Sequence, residues 1–172
     1  MKKVIHKSDL IKVIGKDNVF TRGLASVAMC ALGVNKINKL YAPSAELSDQ
    51  PFTEHMLDVY GITYDKNESE MNVIPKEGPF IIVSNHPFGA IEGIILYDAI
   101  ARVRPDFKVL ANFILSYIPN LKNVFIPVNP FTDKPEWGSS IGGIKEAMAH
   151  ISKGCGLGVF PAGEVSRYNG NK

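Results

Sequence analysis

The chain has 172 residues, 45% of them hydrophobic and 21% charged, with a formal net charge of +2 at neutral pH. That size and balance suit one globular domain with a real core and exclude a disordered tail. A charge so close to zero excludes the strong basic field of a nucleic-acid binder, while local basic patches can still meet anionic lipid headgroups.

Residues 1–64 read as an N-terminal helical segment, punctuated by Gly15, Gly23, Gly33 and Pro43 and without strand alternation. Leu10, Ile11, Val13 and Ile14 form one apolar cluster, and Leu24, Val27, Ala28, Ala31 and Leu32 recur at helical spacing. Such stripes pack on an α/β body or lie on a membrane surface beside Lys36 and Lys39, and packing is the preferred reading. The most apolar run, residues 23–34, falls well short of the roughly 20 residues that span a bilayer. No secretory signal is recognised, so the expected place is the cytoplasm, peripheral at the inner face of the membrane. Cys30 and Cys155 fit no metal-ligand spacing and read as reduced thiols; neither a metal nor a bound cofactor is expected.

From residue 65 to 172 the rhythm is that of an α/β domain. Residues 65–70 are polar and turn-like. Residues 79–84, with Phe80, Ile81, Ile82 and Val83 in a row, predict a strand buried on both faces. A helix follows over 92–103, a strand over 107–110, a short helix over 112–117 and a strand over 124–128. A helix over 139–152 is expected to be capped by Ser139 or Ser140, and a last strand covers 157–160. Gly154, Gly156 and Gly158 read as a tight helix-to-strand turn, because a nucleotide loop would follow a strand and these precede one.

Alternating strands and helices predict a largely parallel sheet with helices on both faces. Ligands of such sheets bind beyond the carboxyl ends of the strands. His86, Asn129 and the run from Pro161 to Glu164 all follow predicted strands and so gather on that edge. Asn85 and the Pro87-Phe88-Gly89 turn would expose the His86 ring. Glu92, at the mouth of the next helix, would hold one ring nitrogen protonated and leave the other to take a proton from a hydroxyl.

Asn85-His86 with a following acid, Phe125-Ile126-Pro127-Val128-Asn129, and Phe160-Pro161-Ala162-Gly163-Glu164 resemble, in order and spacing, the first three blocks of the glycerolipid acyltransferase superfamily. The run from His86 to Gly93, with Phe160 to Arg167, is similar to the bacterial hemolysin-named branch, related to aminolipid O-acyltransferases. The resemblance covers roughly residues 70 to 170 and implies a glycerol-3-phosphate acyltransferase-like fold. It implies that His86 deprotonates an acceptor hydroxyl, which attacks the thioester of acyl carrier protein or coenzyme A. The family's acid lies five residues after its histidine, where Ile91 stands here, and Glu92 is one place later. Where the second block usually ends in a phosphate-gripping arginine, this chain has Val128, Asn129 and Pro130. In the third block Ala162 replaces the usual acid, Glu164 follows the glycine, and the base arrives as Arg167. A lyso-aminolipid or other monoacylated hydroxyl lipid is therefore the expected acceptor, ahead of lysophosphatidic acid.

By the same resemblance Asn85, Pro87, Phe88, Gly89, Asn129, Phe160, Pro161, Ala162, Gly163, Glu164 and Arg167 contact substrate. Amides near Gly163, with Arg167, would meet charge on the tetrahedral intermediate. Phe88, Phe113, Tyr117 and Phe131 line an acyl groove or belong to ordinary core, and Lys122, Lys134 and Arg167 are candidates to meet phosphopantetheine. Membrane lipids are the expected surroundings. The chain stops soon after the third block, so a C-terminally incomplete enzyme is expected. The competing reading is a non-catalytic membrane-associated module or truncated relic.

Overall fold

A computed structural model of the protein describes residues 6–8, 11, 18–19, 21–23, 25–26, 34–129 and 140–163. The chain forms two compact units, Met1–Leu47 and Ser48–Lys172. In the first, helix α1 spans Val34–Tyr41 and gives way to a 3-10 turn, Ala42–Ser44, at Pro43, where the ring removes a backbone donor. The Ser44 hydroxyl donates to the Tyr41 carbonyl at 2.8 Å and closes that turn. The apolar positions Leu10, Val13, Ile14, Leu24, Val27, Ala28, Ala31 and Leu32, together with Cys30, lie outside the described residues.

The second unit opens with α2, Asp49–Val59, which buries Phe52, Thr53 and Leu57. A single helical turn, α3, Glu68–Met71, interrupts the predicted polar turn, because the Asn67 carboxamide accepts from the Ser69 amide and caps it. There follow β1 (Phe80–Val83), α4 (Ala90–Ala101), β2 (Lys108–Asn112), 3-10 segments at Phe113–Tyr117 and Pro119–Leu121, β3 (Phe125–Val128), α5 (Ile141–Ser152) and β4 (Gly156–Val159). The strands form one sheet in the order β1-β4-β2-β3, every pairing parallel. Phe80, Phe107, Val109 and Leu96 of α4 crowd one face. Ile126, Leu157 and Ala147 of α5 form the core of the other. The expected α/β architecture, helices on both faces of a parallel sheet, is what the chain adopts.

α2 packs along α4 and is tied to it by polar groups. Arg102 bridges Glu54 at 3.1 Å and the buried Asp98 at 3.3 Å, and the Tyr64 hydroxyl donates to Asp98 at 2.5 Å. At the amino edge of the sheet the buried Arg104 donates to Asp106, Pro75, Gly78 and Gly154, and stacks over Phe80. One guanidinium thereby fastens the loops that enter β1, β2 and β4.

Three local expectations are corrected. Among the described strands β1 lies at the edge, and α5 lies over β3 and β4, so Ile81 and Val83 are 58% and 62% exposed instead of buried. Only Gly154, at φ +85, serves a turn; Gly156 and Gly158 belong to β4. A Cβ on Gly156 would stand 2.3 Å from Phe80 Cζ, and one on Gly158 2.9 Å from Phe107 Cζ, so these glycines make room for the aromatic layer. Ser140 precedes α5 without capping it, because its hydroxyl accepts from the Asn129 amide at 3.1 Å and donates to the Asn129 carbonyl at 2.6 Å. Among the described residues no helix is long and apolar enough to cross a membrane.

Candidate functional site

The site begins where β1 runs out. The Ser84 amide still donates to the Val159 carbonyl at 3.1 Å, so the β1–β4 ladder continues one residue past the strand and the chain turns at Asn85. The turn closes at Gly89, whose φ of 90° and ψ of −137° lie in a region that only glycine enters freely. This starts α4 at Ala90, two residues earlier than expected, and places Glu92 as the third helical residue. A glutamate there ordinarily reaches back to an amide at the helix start and is favoured by the helix dipole. Here its Oε1 accepts from the Phe88 amide.

The other oxygen faces the histidine. Glu92 Oε2 lies 3.5 Å from His86 Nδ1, with the side chains 15% and 19% exposed. Both atoms are shut off from solvent, and neither makes a hydrogen bond among the described residues. Buried polar atoms are nearly always satisfied, and these two point at one another slightly beyond bonding distance, so each is the other's available partner. With Nδ1 enclosed, Nε2 is the ring nitrogen that does not face Glu92.

Phe160, just beyond β4, forms the wall. Its ring stacks on the imidazole with centroids 4.5 Å apart and planes 28° from parallel. Gly93 lies behind it: a Cβ there would meet Phe125 tightly at 3.3 Å and Phe160 at an ordinary contact distance of 3.8 Å. Gly93 and the Phe88 amide are contributions that motif reading missed. The first had a signal, a glycine inside a helix, which commonly marks close approach of a neighbour; the second had none, because an amide has no letter in the sequence.

The remaining predicted residues divide. Asn85 is exposed, Pro87 half-buried, and the Phe88 side chain 81% exposed even though its amide is engaged. Pro161 and Ala162 are exposed next to Phe160. The Gly163 amide donates to the Phe160 carbonyl at 3.0 Å, in a turn that Gly163 closes at φ +67, so that amide is not free for an oxyanion. Asn129 reaches the expected edge of the sheet, but β3 is three strand spacings from β1, roughly 14 Å away. Lys122 precedes β3 and therefore sits at the opposite, amino edge, away from His86. Tyr117 is 71% and Ile114 50% exposed, and Phe113 meets Tyr117 edge-on, so this segment is not ordinary core. Pro130, Phe131, Lys134, Ser139, Glu164 and Arg167 lie outside the described residues. A separate cavity of about 610 Å³, lined by Asp49, Tyr97, Asp106, Lys108, Asn123 and His150, opens at the amino edge.

A family model described as acyltransferase matches residues 18–172. No curated protein and no solved structure matches the chain.

Proposed function

Because the chain belongs to the acyltransferase family, we propose that it moves a fatty acyl group from the thioester of acyl carrier protein or coenzyme A to the hydroxyl of a lysolipid, with His86 as general base. The observation that carries this reading is the enclosed approach of Glu92 Oε2 to His86 Nδ1 at 3.5 Å. Glu92 keeps the proton on Nδ1. Nε2 takes the proton of the acceptor hydroxyl as its oxygen bonds to the thioester carbonyl carbon. Collapse of the tetrahedral adduct breaks the carbon–sulfur bond, and the imidazolium returns its proton to the departing thiolate. The Gly163 amide, engaged by Phe160, has no part in holding the oxyanion.

A lyso-aminolipid is the preferred acceptor, because the end of β3 offers Asn129 tied to Ser140 and no arginine to grip a phosphate. The exposed Phe88, Ile114 and Tyr117 stand at the same sheet edge as His86 and suit a site that works against the inner face of a membrane. The test gives the purified protein labelled acyl carrier protein and coenzyme A thioesters with a panel of lysolipids. Transfer is expected from the wild type and lost in His86→Ala; transfer that survives that substitution overturns the assignment.

A further inference from the structure

We propose that Phe160 is a positioning residue for His86: its ring sets the plane of the imidazole, while Glu92 selects which edge of that plane faces inward. This rests on the acyl-transfer reading of the same site. His86 lies in the 84–89 turn, outside any helix or strand, and among the described residues its Nδ1 has no hydrogen bond that would fix the ring. The outer torsion of a histidine is broad and roughly two-fold, so something else must restrict it. The stacked contact at 4.5 Å and 28° does so.

The wall is itself firmly placed. Phe160 follows directly on β4, whose register with β1 pairs Val83 with Val159, so the sheet fixes the height of Phe160 relative to the end of β1. Gly93 lies behind it, and the buried Phe125, 4% exposed, packs against the same glycine. A flat ring restricts tilt but cannot tell one imidazole edge from the other; a carboxylate can. The two contacts thus do different work, and both are needed to present Nε2 to an incoming hydroxyl.

The experiment compares Phe160→Leu and Phe160→Met with Phe160→Tyr in the whole protein. Leu and Met are expected to lower kcat roughly ten- to a hundredfold with KM for both substrates within about twofold, and Tyr to restore it. The His86 ring-proton resonance, identified by its disappearance in His86→Ala, is expected to lose its ring-current displacement in Leu and Met and to keep it in Tyr. A kcat within about twofold of wild type in Leu and Met, a raised KM at unchanged kcat, or a resonance that does not move would each overturn the positioning role. If the wild type transfers no acyl group, the acyl-transfer reading fails, and the resonance alone still decides whether the stack orients the ring.

Discussion

Replacing Glu92 by Gln keeps the shape of the side chain, and the amide oxygen can still accept from the Phe88 amide, but the charged oxygen that faces Nδ1 becomes an uncharged NH2 donor, which favours the wrong imidazole tautomer. The charge faces Nδ1 at 3.5 Å. Two unit charges at that distance interact by roughly 5 kcal/mol at an effective dielectric of about 20. The imidazolium is only part-formed at the transition state, which brings the expected loss to roughly 2–3 kcal/mol, about a hundredfold in kcat. Initial rates of thiol release with a saturating acceptor measure this, and a thermal melt within a few degrees of wild type shows that the fold is intact. The same substitution in a His86→Ala background is expected to cost less than about threefold, because residues that act as one unit are not additive. A Glu92→Gln rate within about threefold of wild type, or an equal hundredfold loss without His86, would refute the pairing.

Gly89→Ala places a Cβ at φ 90°, and the cost of about 1–3 kcal/mol in stability should come with lost transfer, as the Phe88 amide and Glu92 shift together; melts and rates on one preparation test both. Arg104→Met strips a buried guanidinium from Asp106 and three carbonyls and is expected to cost about 3–5 kcal/mol, roughly a 10 °C fall in Tm. The Arg104 guanidinium holds the Asp106 carboxyl below its ordinary value of 3.8. The stability it adds is therefore complete above that pH and lost as pH falls through the lower, folded value. The gap between the melts of wild type and Arg104→Met should narrow as pH drops below about 4, by the share that Asp106 contributes, while the share from the three carbonyls stays. Phe88→Ser combined with Tyr117→Ser should weaken co-sedimentation with anionic vesicles while changing stability by under about 1 kcal/mol, as surface substitutions do.

The strand–helix rhythm was legible because each strand is a short apolar run bounded by turns. The approach of His86 to Glu92 was legible because the two lie six residues apart, His86 in the turn and Glu92 in the first turn of the helix it feeds. Strand order was not. Nothing local says that β1 is at the edge, so the exposure of Ile81 and Val83 could not be read from four consecutive apolar letters. Asn129 was assigned to the correct edge of the sheet, yet the order β1-β4-β2-β3 carries it to the far side of that edge. Gly156 and Gly158 read as a turn because the Phe80 and Phe107 rings they accommodate come from elsewhere in the chain. The Ser140 hydroxyl and Gly163 amide were misread for a related reason: each had a nearer or better-placed partner, Asn129 and Phe160, that only the folded chain supplies.

This division between local and distant has a consequence for the site. His86 and Glu92 are spaced by the Gly89 turn alone, but the Phe160 wall arrives from another strand through the β1–β4 register. Because successive side chains in a strand alternate faces, a one-residue slip in that pairing would turn Phe160 away and leave the His86–Glu92 spacing intact. Damage to β4 should therefore reach the chemistry without touching the dyad. Gly158→Ala tests this, since its Cβ would stand 2.9 Å from Phe107 Cζ and 3.0 Å from Leu96 Cδ2, within the layer that seats β4 against α4. Overpacking of this kind costs about 1–3 kcal/mol. The variant should lose kcat and move the His86 ring resonance in the same direction as Phe160→Leu, with KM little changed. A resonance held at the wild-type position while kcat falls would show that β4 acts on the reaction by some route other than the stacked ring.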